Sequence, residues 1–224
     1  MFRFTLALSF LILAVWASVS AEDMKGVAVD KTTNSVIVDA TIAVRKLPHL
    51  DKTYPIELIA SWAHPKGKKA HETVVVFDAK PSDVAKGLEQ LGLKPGKPAK
   101  GENAAAEGPE VNLFLEVPSP DGTKRLTMEK VLIDPKSKKP LPRGVKFRFT
   151  GSVMSPVDPN MPDAKAYGAD LTGTLIALFP VTDECVLQSS LTMKEEKYLK
   201  LDVNAAALPK EGTPIKLVIE AVKK

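Results

Sequence analysis

From Val36 to Val44, the apolar residues Val36, Val38, Ala40, Ile42 and Val44 alternate with Ile37, Asp39, Thr41 and Ala43. Period two with β-branched residues predicts a strand. The shorter run Val27-Ala28-Val29 precedes it across a polar turn at 30–34, so the two predict a β-hairpin. Residues 56–62 predict another strand, and the continuously apolar run 73–77 predicts a central one. A second hairpin, capped by the lysine turn 65–69, follows from that pair. The pattern then changes period. Pro81-Ser82-Asp83 supplies helix-start chemistry, and Val84, Leu88 and Leu91 fall at i, i+4 and i+7, with Gly92 placed to end the helix. This predicts a helix over about 81–91. Residues 97–110 hold few large apolar side chains and predict a flexible surface loop. Strand-like runs follow at 111–117, 125–133, 145–150, 174–179, 185–192 and 215–222, separated by turns such as Ser119-Pro120-Asp121-Gly122 and 156–162. The expected class is α+β, β-rich, with mostly antiparallel sheet and one helix, because the connections are too short for repeated crossovers.

The chain opens differently. Arg3 precedes an almost wholly apolar run from Leu6 to Trp16, and small residues at 17–21 end in Val19-Ser20-Ala21. That order of charge, apolar run and small residues predicts a signal peptide cleaved after Ala21. The run is shorter than the roughly 20 apolar residues a membrane span needs. No cysteine stands directly after the cleavage point, so a lipoprotein is not expected. The reading is a division into a leader at 1–21 and one domain at 22–224, periplasmic or secreted, with no membrane span after cleavage.

Charge adds little. The chain carries 31 Lys and Arg against 27 Asp and Glu. Its lysines gather in two turns, Lys66-Gly67-Lys68-Lys69 and Lys136-Ser137-Lys138-Lys139, without interleaved aromatics. No nucleic-acid partner is expected from this pattern. The single cysteine, Cys185, forbids an internal disulfide, an iron–sulfur cluster and any cysteine-based structural zinc site. It lies in an apolar stretch and reads as a core thiol.

The block 56–98 goes beyond periodicity. It carries Pro65-Lys66-Gly67, Lys69, His71-Glu72, Lys80-Pro81-Ser82-Asp83-Val84 and Gly92-Leu93-Lys94-Pro95-Gly96. Further on come Phe149-Thr150-Gly151-Ser152, Tyr167-Gly168-Ala169-Asp170 and Leu175-Ile176-Ala177. In this combination, over about 25–180, the chain resembles the YdjY-domain family. That resemblance implies a bacterial protein, often exported, with many members in planctomycete-type bacteria and no established activity to carry over. The sequence departs from the pattern at His64, where family members often have cysteine, so a thiol role at that place does not transfer.

Candidate chemistry centres on His71 and Glu72. With His64 and Asp78 they offer imidazole and carboxylate ligands for a divalent metal. Neighbours on a regular strand face opposite ways, however, and no His-Glu-x-x-His spacing is present. The competing reading is structural, with Glu72 paired to a lysine such as Lys69. A hydrolytic set of Ser152, His71 and Asp170 is a further option, although the Gly-x-Ser-x-Gly elbow is missing. Tyr167, Trp62 and Phe149 are candidate pocket walls. The remaining histidine, His49, falls in a loop. The leading expectation is a non-enzymatic binding module of the cell envelope, without a cofactor, whose partner is an envelope protein or small ligand. The alternative is a metal-dependent or hydrolytic enzyme centred on His71 and Glu72.

Overall fold

The computed structural model describes residues 24–222. The expected leader and its cleavage point after Ala21 lie outside the described residues. The first hairpin is as expected: β1 (Val27–Asp30) pairs antiparallel with β2 (Ser35–Ile42). β3 (Leu58–Trp62) and β4 (Thr73–Phe77) follow, then α1 (Pro81–Gln90), β5 (Glu110–Ser119) and β6 (Gly122–Thr127). A four-residue helix α2 (Met128–Val131) leads to β7 (Leu132–Ile133), β8 (Phe147–Phe149), β9 (Met154–Asp158) and β10 (Met161–Tyr167). The chain continues through α3 (Gly168–Thr172), β11 (Thr174–Ala177), β12 (Leu187–Ser189), α4 (Met193–Glu196), β13 (Asp202–Val203) and β14 (Pro214–Ala221).

Eight strands close on themselves in the order β2, β14, β5, β8, β12, β11, β3, β4 and back to β2. β1 extends this barrel from β2, and β6 from β5. The register explains the closure. Leu217 stands beside both Val38 and Leu115, Val111 beside Phe147, and Phe149 beside Leu187. Ile176 then joins Leu187 to Ala60, and Val75 joins Ala60 to Ile42. Cross-strand partners share a face, so these residues form one inward ring. All of them are buried, and a barrel of eight strands has just enough room for its side chains to fill it. The even-numbered apolar stripe of β2 thus finds the core its period predicts.

The β-rich α+β class stands, but the antiparallel expectation holds only in part. β3 and β4 are parallel, as are β11 and β12. The predicted hairpin of 56–62 with 73–77 is therefore corrected. Residues 63–72 do not turn back at the lysines. They return the length of β3, so that Thr73 starts beside Leu58 and Phe77 ends beside Trp62. Both faces of β3 are buried, which suits a strand inside a closed sheet rather than at an edge. The predicted strand 125–133 is also broken, by α2 between β6 and β7.

α1 matches its prediction, with Val84 and Leu88 fully buried. Its C-terminus is closed by Gly92 N–H to the Glu89 carbonyl (2.8 Å) and Leu93 N–H to the Leu88 carbonyl (3.2 Å). Its N-terminus is capped from afar: the Ser82 N–H donates to Asp170 Oδ1 on α3 at 2.8 Å. The segment 97–110 carries several fixed contacts. Ala99 exchanges two hydrogen bonds with the Gln188 side chain, and Gly101 N–H reaches the Pro180 carbonyl.

Candidate functional site

The sequence of β2 places Asp39 between buried Val38 and Ala40, and that of β14 places Lys216 between buried Ile215 and Leu217. Both charged side chains therefore leave the core for the outer face of the barrel. Register sets Asp39 beside Lys216, Lys216 beside Glu116, and Glu116 beside Arg125. By register a ladder of alternating sign crosses four strands; Lys216 Nζ bonds to Asp39 Oδ1, while the Arg125 side chain reaches Glu220 at 2.7 Å. Opposite charges directly across a sheet support each other, each by a few tenths of a kcal/mol to about 1 kcal/mol.

An open groove of about 1100 Å3 lies over this ladder. The turn 62–66 walls one side and the start of β6 the other, with Asp78 at the end of β4 on its edge. Trp62 is fixed in that wall. Its Nε1–H donates to the Ala79 carbonyl at 2.7 Å, and the Lys66 ammonium sits 3.5 Å above its ring centroid. Backbone presses on it from two sides. A Cβ on Gly67 would come within 1.9 Å of the Trp62 carbonyl oxygen, and one on Gly173 within 2.4 Å of the indole. Gly173 also has φ of +72°, where L side chains are strained. His64 stands on the same rim, its ring centroid 5.1 Å from that of His49.

The structure separates the four ligand candidates into two pairs. His64 and Asp78 line the groove. His71 and Glu72 lie in a 3-10 turn ahead of β4 rather than on the strand itself. The whole of β4 intervenes between Glu72 and Asp78, roughly 20 Å of extended chain at about 3.3 Å per residue. Among the described residues, no three His, Cys, Asp or Glu side chains group as metal ligands.

The His71 backbone carbonyl instead joins a clamp around Arg45, and the Glu72 side chain lies beside it against Lys69 and the imidazole. The buried Arg45 guanidinium pairs with Asp202 and donates to the carbonyls of Tyr54 and His71. The imidazole meets the Tyr54 ring edge-on at 5.5 Å, and its Nε2 is 3.4 Å from Glu72 Oε1. Glu72 Oε2 is 3.1 Å from Lys69 Nζ, which also bonds Glu57. Burial pulls the Lys69 ammonium toward neutrality, but the Glu57 and Glu72 carboxylates outweigh it and hold its pKa above the ordinary lysine value.

Ser152, His71 and Asp170 make no hydrogen bond to one another. Ser152 Oγ accepts from Ala169 N–H (3.0 Å) and donates to the Val153 carbonyl (3.3 Å), while Asp170 caps α1. Tyr167 Oη accepts the Ser152 N–H at 3.1 Å, and burial pushes its phenol pKa up to about 12. Phe149 is core rather than wall, at 0% exposure. Cys185 is fully buried, and burial raises its thiol well above the ordinary value, which keeps it protonated and inert.

The family model described as YdjY domain matches residues 27–220. The chain belongs to the YdjY-domain family. Comparison with curated proteins and with solved structures gave no match. In this YdjY domain the Gly-Ser and Tyr-x-Ala-Asp elements meet physically: Tyr167 and Ala169 hold Ser152, and Asp170 holds the start of α1. Sequence reasoning missed Arg45 and the Asp39–Lys216–Glu116 ladder. Asp39 and Lys216 were visible only as polar positions in alternating strands, and their pairing depends on a register the sequence does not print.

Proposed function

We propose that this YdjY domain is an exported, non-catalytic binding module of the cell envelope, and that the outer groove receives its ligand. One observation carries the reading: a groove of about 1100 Å3 floored by charges of alternating sign and edged by a fixed tryptophan. Such a floor suits an extended polar chain that itself carries both signs, as a peptide does, because each ligand charge meets an opposite one. The leader pattern at 1–21 supports the compartment. The His71 carbonyl serves the Arg45 guanidinium and Glu72 pairs with Lys69, and no observation specific to the two residues favours the enzymatic alternative.

The chain holds two tryptophans, Trp16 and Trp62. In the form cleaved after Ala21, fluorescence therefore reports Trp62 alone. Titration with a library of short peptides containing lysine and glutamate should give a saturable change in that signal. Lys216→Glu should weaken the best peptide about tenfold, and the exchange Asp39→Lys with Lys216→Asp, which keeps that one pair but sets a second carboxylate beside Glu116, should alter which peptide is preferred. Absence of saturation across the library would overturn the groove as a peptide site.

A further inference from the structure

Beneath the turn 66–69 lies a second and smaller cavity of about 210 Å3, which meets the groove at Lys66. Three lysines line it, Lys66, Lys68 and Lys69, and so do the hydroxyl residues Ser61, Thr172, Thr174 and Thr182. Leu58, Leu171 and Val181 supply apolar walls. No carboxylate lines it. Of the nearby acids, Glu57 and Glu72 hold Lys69 and Asp183 holds Lys100 at 3.0 Å, while the Glu184 side chain lies against Gly168.

Two of the three ammonium groups remain without a carboxylate. Lys66 contacts only the face of Trp62, and Lys68 has no hydrogen-bond or ion-pair partner among the described residues. The hydroxyls are unequal too. Thr172 Oγ1 donates to the Glu184 carbonyl at 3.0 Å, and Ser61 Oγ to the Trp62 carbonyl at 3.1 Å. Thr182 Oγ1 accepts the Glu184 N–H at 3.1 Å, which leaves its own proton to donate elsewhere. The cavity thus presents two uncompensated cations and a free hydroxyl donor against apolar walls that limit competing water. A compact dianion with several acceptor oxygens matches that set in charge and in hydrogen-bonding sense.

We propose that this cavity is a phosphoryl-binding site, in which Lys66 and Lys68 neutralise the group and Thr182 donates to one of its oxygens. The cavity shares Lys66 with the groove, where its ammonium lies on the Trp62 ring, whereas Lys68 and Thr182 line the cavity alone. The phosphoryl group belongs either to a small soluble molecule or to a lipid headgroup, and the two sources present the same oxygens.

Calorimetric titration of the purified protein with inorganic phosphate tests the site, alongside co-sedimentation with phosphatidic acid vesicles and with phosphatidylcholine vesicles. Lys68→Ala and Thr182→Val are compared with Lys136→Ala, which removes a lysine from the other basic turn. The expected result is saturable phosphate binding weakened at least fivefold by Lys68→Ala and measurably by Thr182→Val, and unchanged by Lys136→Ala. Co-sedimentation with phosphatidic acid alone, lost in the first two variants, assigns the lipid source; phosphate binding without it assigns the soluble one. Absence of saturable binding to either probe overturns the proposal. So does equal weakening by Lys136→Ala, or indifference to Thr182→Val, because a diffuse basic surface has no use for a particular hydroxyl.

Discussion

Trp62 is the residue on which most of the groove wall depends. Its position is fixed by one hydrogen bond, one cation and two close glycines, none of which can be seen from the run Ile-Ala-Ser-Trp itself. Gly173→Ala places a methyl group where the indole already is, at a backbone conformation that disfavours it. It should lower stability by about 3 kcal/mol and shift the Trp62 emission, measured by urea unfolding and fluorescence spectra. Tyr167 offers a test in pH. Its phenol is raised by burial from 10.0 to about 12, so the fold favours the neutral form. The contribution of that preference is complete below pH 10 and is lost as pH rises toward 12. Tyr167→Phe strips the Ser152 N–H of its acceptor and should cost about 1 kcal/mol at pH 7. The deficit relative to the parent should shrink between pH 10 and 12, because phenylalanine has nothing to ionise in the unfolded chain. A deficit constant across that interval would show that the phenol is not shifted.

Among the elements, those with a strong period and a buried face were legible in the sequence. β2 and α1 are examples: each presents one apolar stripe, and each lies where that stripe finds the core. β9 and β10 were not, because the hairpin is largely exposed on both sides and leaves no alternation to read. Strand direction was equally hidden. Alternation reports which side chains are buried, not whether a neighbour runs parallel, so the β3–β4 crossover looked like a hairpin. The candidate site was legible as residue types and illegible as partners. His71 and Glu72 did stand together, and Lys69 did pair with Glu72, but the Arg45 guanidinium that the His71 carbonyl receives arrives from 26 positions earlier. The cap of α1 is similar: Ser82 and Asp83 suggested a local one, whereas the acceptor is Asp170, 88 positions away. Asp170→Ala should therefore destabilise α1 against β2 by about 1 kcal/mol, whereas Asp170→Asn, which keeps an acceptor oxygen, should cost less. Equilibrium unfolding of the two variants checks the order.

At the scale of the whole molecule, the barrel is built from residues far apart in the chain, and no described helix is long and apolar enough to cross a membrane. The expected leader is tested at this scale by N-terminal sequencing of material recovered outside the cytoplasm. A chain beginning at Glu22 is the expected outcome, and one still beginning at Met1 and released only by detergent would overturn it. The barrel's closure also carries a kinetic meaning. β14 lies between β2 and β5, so the early strands of the sheet are bridged by residues 214–221. A chain that emerges from a ribosome or a membrane pore N-terminus first cannot join β2 to β5 until those residues have arrived. Its early strands must wait with unpaired edges, and the slow, non-local closing step follows the arrival of β14. The same arrangement that closes the eight-strand barrel keeps the growing chain open until β14 is present.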